Sequence, residues 1–118
     1  MLKSVLGILV LLFLTYGASA QSNRAYSAKT VAPGCDIYMR GDSRDLLHLQ
    51  GQCVGTIGGL SFVAPMLPPH MRSCPPPGTV LAALVGTVLS YIKKNESREN
   101  EDFRMLALEA LRDVWPCS

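Results

Sequence analysis

Apolar residues along this chain recur at helical steps in three places, and nowhere do they alternate with period two. Leu46, Leu49, Cys53, Ile57 and Leu60 follow one another at three- and four-residue intervals, the stripe of a half-buried helix. Asp42 or Ser43 stands where a cap is needed, with Asp45 in the first turn. A second and broader face runs through Val80, Leu81, Leu84, Val85, Val88, Leu89 and Ile92. It predicts a helix over 79–94, capped by Thr79 and closed by Lys93 and Lys94 at the negative end of its dipole. The third stripe, Phe103, Leu106, Ala107, Ala110, Leu111 and Val114, predicts a helix over 101–115. Asn100 is its expected cap, Glu101 and Asp102 fill its first turn, and Pro116 stops it. Between the first two stripes, residues 63–78 hold six prolines, a density that reads as loop. Residues 21–41 are polar and mixed and read as an N-terminal segment with room for a short helix near Cys35. The expectation is an all-α fold: a small bundle of about four helices, with a helical domain over 42–118 that ends in an antiparallel αα-hairpin.

The first twenty residues change the compartment. Lys3, the apolar run Val5 to Tyr16 and the exit Ala18-Ser19-Ala20 have the three-part layout of a secretory signal peptide over 1–20. The run is short for a span of about 20 residues, so the expectation is cleavage and no stable membrane insertion afterwards. The remaining chain of roughly 100 residues is one domain. Its net charge, +2 over the whole chain, gives no electrostatic case for nucleic acid.

All four cysteines lie beyond the leader. An even count in a small exported domain reads as two disulfides, and the count alone leaves three pairings. The predicted hairpin sets the start of its first helix beside the end of its second. That brings Cys74 to Cys117 and leaves Cys35 for Cys53. No CxxC is present, and His48 and His70 do not cluster with the cysteines, so no metal or other cofactor is expected.

The stretch GQCVGTIGG at 51–59 sits inside the first predicted helix. Leu47, Gly51, Gly55, Gly58 and Phe62 share one stripe, and each helical glycine costs about 0.5–1 kcal/mol relative to alanine. Close approach of a neighbouring backbone is the expected return; a helix end at Gly58-Gly59 is the alternative. No strand precedes the glycines, which argues against a nucleotide loop. Signatures of hydrolases are also missing: there is no GxSxG and no HExxH. His48 reads as a partly buried structural side chain, and Tyr91 and Trp115 as aromatics at helix ends. The chain does not read as an enzyme.

The same residues carry a family resemblance. CVGTIGG resembles the Cys-x-Gly-aromatic-aliphatic-x-Gly signature of the Rap/Tai immunity proteins of type VI secretion. Cys74-Pro75, then Gly78-Thr79 opening a helix, VLAALVGTVLSYIKKN, and the closing ALEALRDVWPC follow in that family's order. The likeness covers about residues 42–118. Thr56 stands where the family carries an aromatic, and the loop before Cys74 is unusually rich in proline. The resemblance implies a small periplasmic all-α protein, often a homodimer. Its partner would be a Cys-His peptidoglycan amidase effector, whose cleft a protruding loop plugs. On this chain that loop is the hairpin tip KKNESREN, with Asn95, Glu96, Ser97, Arg98 and Glu99 as partner-binding residues. A second candidate surface is the proline-rich loop, with Met66, Leu67, His70, Met71 and Arg72. Two other classes of function stay open beside it. One is a carrier of an apolar ligand in a cavity lined by Val85, Leu89, Phe103 and Leu106. The other is an envelope adaptor on the same scaffold.

Overall fold

The computed structural model describes residues 24–42 and 44–118. The predicted leader and Ser43 lie outside these. Among the described residues the fold is four α-helices and two short 3₁₀ turns, with no strand: α1 Ala28–Arg40, α2 Leu47–Val63, α3 Leu81–Lys94 and α4 Phe103–Val114. The 3₁₀ turns are Ala64–Met66, continuing α2, and Glu96–Arg98, between α3 and α4. The all-α bundle with a C-terminal hairpin is as the apolar periodicity predicts.

The largest departure is α1. Where the sequence left room for a short helix near Cys35, residues 28–40 form a helix of 13 residues with Pro33 inside it. Three devices hold it. The Ser27 hydroxyl accepts from the Thr30 amide at 3.3 Å as N-cap. Gly41, at φ 77°, ends the helix, its N–H donating to the Tyr38 carbonyl while that of Asp42 donates to Ile37. The first two amides of the helix donate to another element altogether: Ala28 to the Glu101 carbonyl at 2.9 Å and Lys29 to the Glu99 carbonyl at 2.7 Å. The helix then buries Ala28, Val31, Gly34, Cys35 and Ile37 in the common core.

Several caps also differ from expectation. Asp42 does not cap α2, Ser43 lies outside the described residues, and Asp45 falls before the first turn; the N-cap is Leu46, in the left-handed region at φ 46° with no side-chain bond. The Gln50 amide group holds that entry instead, donating to the carbonyls of Asp42 at 2.7 Å and Asp45 at 2.6 Å. Thr79 does not cap α3: its hydroxyl donates to the Pro76 carbonyl and closes the preceding turn. Asp102, not Asn100, caps α4, accepting from the Arg104 amide at 2.9 Å.

The core joins Val31, Cys35, Cys53, Ile57, Val85, Val88, Phe103, Leu106 and Leu111, all fully buried. Of the carrier cavity's four lining residues, Val85, Phe103 and Leu106 are thus packed solid. Cys35 bonds to Cys53, tying α1 to α2, and Cys74 to Cys117 closes the base of the hairpin, where the Cys74 amide also donates to the Trp115 carbonyl.

The glycine stripe faces outward. A Cβ added at Gly51, Gly55 or Gly59 would meet nothing within 4 Å, and one at Gly58 only the Leu81 side chain at 3.9 Å. Close approach occurs instead at Gly34 of α1, where a Cβ would lie 2.2 Å from the Leu49 carbonyl. The groove expected on α2 is therefore supplied by its partner helix. It leaves α2 with an open face between Leu47 and Phe62, both well exposed.

Candidate functional site

The hairpin tip is the connector between the two most regular helices, and the sequence gives it no glycine. Lys94 ends α3, and Asn95 turns the chain by donating its side-chain amide to the Tyr91 carbonyl at 2.8 Å. The amides of Arg98 and Glu99 then donate to the carbonyls of Asn95 and Glu96, which makes the 3₁₀ turn. Beyond it, Glu99 and Glu101 hand their carbonyls to the start of α1, and the Phe103 amide donates to the Tyr26 carbonyl at 2.8 Å. The tip is stitched to α1 at its back and carried by α3 and α4 at its base.

Arg98 occupies the middle of this arrangement. Its Nε donates to Glu101 Oε2 at 2.6 Å and one Nη to Glu101 Oε1 at 2.9 Å. The same fork donates to both oxygens of Glu109 on α4, at 2.6 and 3.0 Å, and to the Tyr91 hydroxyl of α3 at 3.1 Å. Tyr91 in turn donates to Glu109 Oε2 at 2.8 Å. The electrostatics follow. Hydrogen bonding to Arg98 holds both Glu109 and Glu101 below the usual carboxylate range. The Glu109 carboxylate, helped by partial burial, pushes the Tyr91 hydroxyl up. The two acids raise the Arg98 guanidinium further above its already high value.

The five residues expected to meet a partner thus fall into two groups. Asn95 and Arg98 are spent on internal bonds, and Glu99 pairs with Lys29 at 3.4 Å. Glu96 and Ser97 are exposed, with no internal side-chain bond among the described residues. Sequence reasoning missed Tyr91, Glu101 and Glu109. Glu101 was legible as an i, i+3 partner of Arg98. Tyr91 and Glu109 lie 18 positions apart and meet only through the hairpin register.

The proline-rich loop is more ordered than its composition predicts. Arg72 donates back to the Leu67 carbonyl at 3.0 Å, and the Arg112 guanidinium bonds the His70 carbonyl. Met66 and His70 are exposed, Leu67, Met71 and Arg72 half-buried. A small recess of about 210 Å³ lies between this loop and α4, lined by Met71, Met105 and Leu108 among others. His48, expected to be partly buried, is exposed: two residues before Gln50, it lies on the side of α2 away from the core face that Gln50, Cys53 and Ile57 define.

Among the described residues no three His, Cys, Asp or Glu side chains gather as metal ligands. No described helix is long and apolar enough to cross a membrane. With these features in place, the family comparison is informative: the model of the Rap1a immunity proteins matches residues 22–117. The chain belongs to the Rap1a immunity family. No curated protein and no solved structure matches it. The family match spans α1 as well as the region from 42 on, in agreement with the core that α1 shares. An immunity protein acts by binding the effector it neutralises, so a protein partner is the ligand to look for on this Rap1a-family surface.

Proposed function

We propose that this protein is exported to the periplasm and neutralises a peptidoglycan amidase effector of type VI secretion by seating Asn95–Glu99 in its cleft. The rigid hairpin tip carries the reading. It projects two unpaired polar side chains, Glu96 and Ser97, from a turn fixed on three sides. A cleft that holds a Cys-His pair offers a cationic imidazole to Glu96 and amide-binding groups to Ser97. Two disulfides among the described residues, with no free cysteine there, suit an oxidising compartment. No chemistry by the protein itself is required, since occlusion excludes substrate by volume.

A homodimer through the open face of α2 accompanies this reading. Leu47 at 62%, Phe62 at 78% and Met66 at 69% exposure leave apolar surface that a second copy would cover, and the glycines between them allow close approach.

The experiment is co-expression of the exported protein with a panel of periplasm-directed Cys-His peptidoglycan amidases, scored by lysis. Rescue from one of them is expected, and replacement of residues 95–99 by glycine and serine should abolish it. Rescue that survives the replacement would move the contact elsewhere, to the 63–73 loop first. No rescue from any amidase would overturn the amidase assignment.

A further inference from the structure

Arginine carries five N–H donors in a planar fork. In Arg98 all five are engaged, two by Glu101, two by Glu109 and one by the Tyr91 hydroxyl. A partner can take a hydrogen bond from Arg98 only by breaking one of these. Arg98 is therefore poorly suited to direct contact, although it lies at the centre of the candidate surface. Its bonds have another consequence. They reach from the 3₁₀ turn to both helices of the hairpin, Tyr91 on α3 and Glu109 on α4. Glu101, on the outgoing side of the tip, is gripped by the same fork. The guanidinium thus fixes the turn against its own base. The bonds are charge-assisted and paired, the arrangement that gives arginine–carboxylate contacts their geometric specificity.

Resting on the reading of the tip as the effector contact, we propose that Arg98, Glu109 and Tyr91 are positioning residues. They pre-form the turn that presents Glu96 and Ser97, and a partner does not touch them through these donors. A loop ordered before binding loses less conformational freedom on association, so the network raises affinity without adding a contact. It also divides the tip into an outward edge, Glu96 and Ser97, and an internal strut. Lysine at position 98 would keep the charge but not the fork, and so would not replace it.

The test uses the full mature protein in three variants: Glu109→Gln, Arg98→Lys and, for the edge, Glu96→Gln. Amide hydrogen exchange is read at Arg98, Glu99 and Glu101, whose N–H groups bond within the tip, and at core positions of α3 and α4. Glu109→Gln and Arg98→Lys should speed exchange at the three tip amides by about tenfold while core amides keep their protection. Glu96→Gln should leave tip exchange unchanged. Dissociation constants are then measured against the amidase that the wild type neutralises. Glu109→Gln should weaken binding by about tenfold through tip order alone, and Glu96→Gln should weaken it with the tip intact. A Glu109→Gln variant that loosens the tip and binds as tightly as wild type would overturn the inference. So would exchange that rises only in step with the core, which marks a general structural role. A wild type that neutralises no amidase fails earlier and overturns the function, so the two failures are told apart.

Discussion

Gly34→Ala should destabilise the protein, although alanine is the better helix former. Gly34 lies in the middle of α1 where it crosses α2. A methyl there would meet the Leu49 carbonyl carbon and oxygen at 2.2 Å and the Gln50 amide nitrogen at 2.7 Å. All three are backbone atoms of α2, so no rotamer change relieves the clash. The helices must separate by on the order of 1 Å, and the Cys35–Cys53 bond, one residue away, opposes that. Overpacking of this kind costs about 3 kcal/mol at the upper end of its usual range. The gain in helix propensity offsets about 1 kcal/mol, leaving a net loss of about 2 kcal/mol. For a domain of roughly 100 residues that is a drop in melting temperature of about 10 °C. Gly51→Ala is the matched control. It lies in a helix with nothing within 4 Å and should stabilise the protomer by about 0.5–1 kcal/mol. Denaturant unfolding of both variants, at concentrations where the chain is monomeric, gives the comparison. Equal stability of Gly34→Ala and wild type would refute the close crossing of α1 and α2.

Four further outcomes are expected. Replacing Cys74 and Cys117 by serine opens a loop of 43 residues and should lose about 4 kcal/mol on chain-entropy grounds, read as an unfolding midpoint. The loop of 18 closed by Cys35–Cys53 is worth about 3 kcal/mol on the same basis, but both its cysteines are fully buried, so mild thiol should reduce the exposed Cys74 bridge first in a mass-spectrometric time course. Glu109 and Glu101 have lowered folded pKa values, so their stabilising contribution is complete above the ordinary glutamate value of about 4.3 and is lost as pH falls through the folded values. The stability difference between wild type and Glu109→Gln should accordingly be constant near neutrality and shrink as the pH falls below about 4.3; a difference that does not change with pH would argue against the pairing. Phe62→Glu should shift sedimentation from dimer to monomer with an unchanged melting curve at low concentration, whereas a wild type that stays monomeric at high concentration would remove the α2 face as a seam.

The stripes of α3 and α4 were legible because Leu84, Val85, Val88, Phe103, Leu106 and Leu111 recur with helical period and are all buried. The disulfide pairing followed from the hairpin those stripes predict. What escaped the sequence depends on contacts distant in the chain. The first two amides of α1 are satisfied by carbonyls some 70 residues away, so the polar composition of 21–34 left room only for a short helix near Cys35 and not for the 13 residues of α1. The glycines of α2 pointed to a close approach that belongs to Gly34, because spacing shows which residues share a face but not which face is covered. At the tip, polarity and position were visible from KKNESREN, whereas the Arg98 fork needed Tyr91 and Glu109 brought together by the hairpin.

If the tip blocks an amidase by occupying its cleft, inhibition must be stoichiometric and must depend on residues 95–99. Cleavage of cross-linked muropeptides by an amidase that the lysis assay shows the protein to neutralise should be titrated with the purified protein lacking residues 1–20. Cleavage should fall to zero at one protomer per active site and be fully retained when residues 95–99 are replaced by glycine and serine. Tight binding that leaves cleavage intact would contradict occlusion of the cleft.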